Sequence, residues 1–66
     1  MLNINLGDIV AINELRGFGG AVNFRIHLRA GSIIELDKAR ALKVLEAWKQ
    51  YCAEYPTHDP KVILTV

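Results

Sequence analysis

Val22, Phe24, Ile26 and Leu28 alternate with Asn23, Arg25, His27 and Arg29 along one unbroken stretch. A period of two belongs to a half-buried strand, with the apolar set turned to a core and the polar set turned away. After Arg29-Ala30-Gly31 comes a second β-rich run, Ser32-Ile33-Ile34-Glu35-Leu36. A two-residue connection at Ala30-Gly31 would set Ile26 opposite Glu35 and bury a carboxylate. A three-residue loop, with Gly31 left-handed at a bulge, sets Leu28 opposite Ser32, Ile26 opposite Ile34 and Phe24 opposite Leu36. The second register is the expected one, because a slip of one residue would turn the apolar set outward. It also puts Arg25 opposite Glu35 on the polar side.

Upstream, residues 7–15 (GDIVAINEL) are rich in β-branched side chains and read as a strand, with residues 2–6 (LNINL) leading into it. The alternation there is poor, so a short helix over residues 6–15 capped at Gly17 is the rival reading.

The pattern changes at Asp37. Ala41, Val44, Leu45, Trp48, Tyr51, Cys52 and Tyr55 fall on one stripe when each residue advances 100°, and Lys43, Glu46, Gln50 and Glu54 fall opposite. Asp37 is placed to cap the first turn with its carboxylate. Leu36 and Ala41 stand at the positions of a hydrophobic staple. Pro56 disfavours helix at the residue before it. These signals predict a helix over residues 38–54 with Trp48 at the middle of its apolar stripe and Tyr51 and Tyr55 at the rim. Leu42 lies off the stripe.

Beyond the turn at residues 56–60, residues 61–66 (KVILTV) read as a strand with Val62, Leu64 and Val66 on one face. An apolar edge strand invites pairing, either with its own sheet or with another molecule. The predicted architecture is a single α+β domain over residues 1–66: a small antiparallel sheet in β-β-β-α-β order with one amphipathic helix packed on one face.

Composition narrows the function classes. A chain of 66 residues buries only about 60% of the surface it exposes when unfolded. Such domains are commonly reinforced by disulfides, a metal or association. Cys52 is the only cysteine, so no internal disulfide forms. Cys52, His27, His58 and scattered carboxylates lack the spacing of a zinc site, so no metal or other cofactor is expected. Association remains, and the expected oligomer interface is Leu42, Val44, Tyr51, Val62 and Leu64. The net charge of +1 gives no long-range field, so nucleic acid is not an expected partner. No apolar run is long enough to span a bilayer, and no signal peptide is visible. A cytoplasmic protein with no membrane partner is the expectation.

Two stretches are candidates for binding. The first is Leu15-Arg16-Gly17-Phe18-Gly19-Gly20-Ala21-Val22. It lacks the lysine and hydroxyl of a phosphate-binding loop, and a strand rather than a helix follows it. It reads as a turn needing positive φ, with Phe18 as a possible anchor for a protein partner and Arg16 as a possible anion contact. The second is the polar side of residues 22–29, with Arg25, His27 and Arg29. Paired arginines can grip a phosphate or an acidic surface. Aromatic side chains on which bases would stack are missing from it. Catalysis would need Cys52 or Ser32 beside His27 or His58, and Cys52 sits in the apolar stripe. The expected function is therefore that of a small non-enzymatic protein-binding module, an accessory regulator or inhibitor that self-associates. The alternative is capture of a small anionic ligand such as a nucleotide at a subunit junction, with nucleic-acid binding by the same arginines as a third reading.

Overall fold

A computed structural model describes residues 1–20, 22–57 and 59–66, without the side chain of Phe18. Its elements run β1 (Asn3–Asn5), a 3-10 turn (Leu6–Asp8), β2 (Ile9–Arg16), a tight turn (Phe18–Gly20), β3 (Val22–Leu28), β4 (Ile33–Asp37), α1 (Lys38–Glu54) and β5 (Ile63–Thr65).

The β3–β4 hairpin has the three-residue connection. Gly31 takes φ +88°, the Gly31 amide donates to the Leu28 carbonyl at 2.9 Å, and the Leu28 amide donates to the Ser32 carbonyl at 2.9 Å. Phe24 therefore stands opposite Leu36, Arg25 opposite Glu35 and Ile26 opposite Ile34. On the other side of β3, β2 pairs antiparallel, with Ile12 opposite Ile26 and Asn13 opposite Arg25. Ile12, Ile26 and Ile34 thus form one apolar row across the inner face.

The α+β architecture is as the pattern indicates, with two refinements. Ile9–Arg16 is strand rather than helix, but Gly7 and Asp8 belong to the 3-10 turn before it, and residues 3–5 form a strand of their own instead of leading into β2. The 3-10 turn at Leu6–Asp8 separates the two, and the Asn5 side-chain oxygen accepts from the Gly7 amide to hold it. β1 then pairs antiparallel with β5, so the sheet is divided: β2–β3–β4 and a separate β1–β5 ribbon. The C-terminal strand pairs within its own chain. The poor alternation in residues 7–15 has a cause, a bulge between Ile9 and Ala11 that leaves Val10 as an extra residue.

The helix covers the inner face of β3 and β4 and the 3-10 turn. Ile4, Leu6, Ile9, Phe24, Ile26, Leu36, Ala41, Val44 and Tyr51 make the core, and Trp48 packs against it while staying half-buried. The middle of the helix stripe is therefore Val44 and Tyr51, not Trp48. The helix is rolled so that it also packs on the 3-10 turn that carries Leu6, an area that no local pattern in residues 37–56 reveals. The Trp48 indole N–H is buried with no hydrogen-bond partner among the described residues. Asp37 is the N-cap residue, but its side chain makes no capping bond. β4 runs directly into α1, and the carboxylate instead sits 3.6 Å from Arg40 Nε. The molecule is elongated, with principal-axis extents of 39 × 22 × 21 Å.

Candidate functional site

The face of the β2–β3–β4 sheet turned away from α1 is uncovered. Alternation places Ala11, Asn13 and Leu15 of β2, Asn23, Arg25 and His27 of β3, and Ile33 and Glu35 of β4 on it. Arg25 lies at the centre. Its Nε is 3.9 Å from Glu35 Oε2, and Asn23 Nδ2 donates to Glu35 Oε1 at 3.3 Å. Both members of the ion pair are about half exposed, so the attraction is screened and contributes at most about 1 kcal/mol. Asn13 Nδ2 lies 3.0 Å from His27 Nε2.

One end of this face is apolar. Ile33, opposite His27, is 55% exposed, and Val10 at the bulge is 61% exposed. Sequence patterning passed over both. The signal was present in two adjacent apolar pairs, Ile9-Val10 and Ile33-Ile34, because only one member of such a pair can face the core in a strand.

The other predicted site residues are scattered. Arg29 leaves the face altogether. Its amide donates to the Asp8 carbonyl at 2.7 Å and its guanidinium to the Gly7 carbonyl at 3.1 Å, so it fastens the β1–β2 connection. Arg16 is on the inner side of the sheet, opposite Val22, with its Nε 3.2 Å from Glu14 Oε1. The expected cluster of Arg16, Arg25 and Arg29 therefore does not form; each has its own acceptor in a different place. Gly19 and Gly20 take φ +77° and +79°, the positive values expected of the turn. The predicted anchoring by the Phe18 side chain lies outside the described residues, as does His58.

The predicted interface residues also divide. Val44 is 0% exposed and Tyr51 is 2% exposed, so both are spent on the chain's own core and neither presents a surface. The structure removes them from the set. Leu42 is exposed, and Val62 and Leu64 are half-buried beside an open groove of about 280 Å³. The groove runs between β5 and the C-terminal half of α1, with Ala47, Tyr51 and Tyr55 among its lining. Beneath it the Tyr51 hydroxyl donates to the Pro60 carbonyl at 2.6 Å, fixing the return of the chain from helix to β5. Burial pushes the pKa of this hydroxyl up; Asp59 adds to the rise and Arg29 opposes it.

Among the described residues, no three His, Cys, Asp or Glu side chains converge as a metal site would require. No helix is long and apolar enough to cross a membrane. No family model matches the chain, and neither a curated protein nor a solved structure is similar to it.

Proposed function

We propose that the chain is a small non-catalytic protein-binding module, an accessory regulator or inhibitor in the cytoplasm, and that the uncovered sheet face is what it presents to its target. The observation that carries the reading is the exposure of Val10 and Ile33 around His27. Large aliphatic side chains on a rigid sheet gain about 25 cal/mol for each Å² taken out of water. The rest of the face is a fixed polar pattern, Asn13–His27 and Asn23–Glu35–Arg25. Such groups contribute more to orientation and partner choice than to affinity. Capture of a small anion is less well supported, because it needs converging arginines, and Arg16, Arg25 and Arg29 each bind elsewhere.

The test is immobilised wild-type protein against the Ile33→Asp and Leu42→Asp variants, each first shown to melt like wild type. A target should be retained by wild type and by Leu42→Asp, and lost by Ile33→Asp. Identical retention by all three would discard the sheet face. A rise in melting temperature with nucleotide or inorganic phosphate would instead favour the anion reading, by mass action.

A further inference from the structure

The β1–β5 ribbon has an open edge. Val66 exchanges both backbone bonds with Leu2 at 2.8 Å, and the Val62 carbonyl accepts from the Leu6 amide at 2.9 Å. Residues directly opposite along an antiparallel pair alternate between hydrogen-bonded and non-bonded. With Val62, Leu64 and Val66 bonded toward β1, the amides and carbonyls of Ile63 and Thr65 point the other way. No strand among the described residues receives them, since β5 has only β1 as a neighbour. Ile63 is 48% exposed and belongs to the lining of the groove beside α1.

We propose that a second copy of this chain occupies that edge, with β5 antiparallel to its twin across a two-fold axis at Leu64. In this register Ile63 stands opposite Thr65 of the second copy, and each such pair exchanges both of its free backbone bonds. The two ribbons become one sheet. Leu64 points toward α1, so Leu64 of the second copy comes down over the groove. This surface is separate from the sheet face assigned to a target.

The helix flank beside the groove matches the same symmetry. Lys43, Ala47, Gln50 and Glu54 follow one another at helical spacing and fall within about 60° of each other. The flank reads basic, small, polar, acidic from start to end, and its last three residues line the groove. A two-fold axis sets it antiparallel to itself. Lys43 then meets Glu54 of the second copy, and the small Ala47 lets the helices approach. Neither Lys43 nor Glu54 has an ion-pair partner among the described residues of its own chain.

The test is mass in solution by light scattering over a concentration series, with circular dichroism to verify folding. Wild type should double its mass as concentration rises. Ile63→Pro removes an outward amide without touching the bonds to β1, and should remain monomeric. Lys43→Glu and Glu54→Lys should each weaken association about tenfold by replacing attraction with repulsion in two symmetric pairs, and the double exchange should restore it. A mass that stays at 7.4 kDa up to about 1 mM, where even a weak dimer forms, would overturn the proposal. So would a dimer indifferent to Ile63→Pro, or a double exchange that fails to recover.

Discussion

Ile26 is the position at which the inward and outward faces of the sheet can be weighed against each other. Its side chain is 0% exposed, in the row between Ile12 and Ile34, beneath α1. Ile26→Val removes one buried methylene and should cost about 0.5–1.5 kcal/mol; Ile26→Ala should cost about 2–5 kcal/mol, because the rigid row cannot close over the void. A domain of this length holds about 3–10 kcal/mol in total. The alanine variant therefore sits near the limit of folding, and the valine variant is the one to measure. The matched control is Ile33→Val, the same chemistry on β4 but on the uncovered face, where the change should stay within about 0.5 kcal/mol. Urea unfolding followed by Trp48 fluorescence reads both, since Trp48 is the sole tryptophan and packs against the core. A thermal melt should drop by about 4–8 °C per kcal/mol. Equal losses at the two positions, or a larger loss at Ile33, would mean that the sheet is turned over and that the proposed docking face is the core side.

Gly31→Ala should destabilise by about 1–2 kcal/mol through backbone strain alone, because an added Cβ meets nothing within 4 Å but φ is +88°; a D-alanine placed there by synthesis should melt at or above wild type, and an L-alanine variant that does so would contradict the loop geometry. The raised pKa of Tyr51 predicts an alkaline loss of stability. Below the ordinary tyrosine value near 10 both folded and unfolded chains hold the proton. As pH climbs past that value the unfolded chain releases it while the folded chain keeps it, so stability falls until the folded pKa is passed. Melting temperature against pH from 8 to 11 should therefore decline more steeply for wild type than for Tyr51→Phe; parallel curves would refute the assignment.

The hairpin register and the helix bounds were legible because each is set by neighbours in sequence. Alternation and the avoidance of a buried Glu35 fix the β3–β4 pairing, and Asp37 and Pro56 bracket the helix. What was not legible depends on distant chain. β1 is only three residues long and becomes a strand through β5. The roll of α1 that buries Tyr51 goes with the bond its hydroxyl donates to the Pro60 carbonyl on the return to β5. The site suffered in the same way. Arg25 and His27 are where alternation puts them. Arg29 would have continued that face, but the carbonyl of Gly7, 22 residues earlier, draws its guanidinium off. Ile33 could have been found, since Ile33 and Ile34 cannot both face inward.

The ribbon that joins Asn3 to Thr65, 62 residues apart, has a kinetic consequence. Closing a loop of that length costs entropy that grows with the logarithm of chain length, whereas the hairpins and the helix close over short distances. The three-stranded unit with α1 can assemble first, and the ribbon zips last. Substitutions at Ile4 or Leu64 would then leave the refolding rate nearly unchanged and appear as faster unfolding, so the lifetime of the native state is governed at the seam where the two ends of the chain meet.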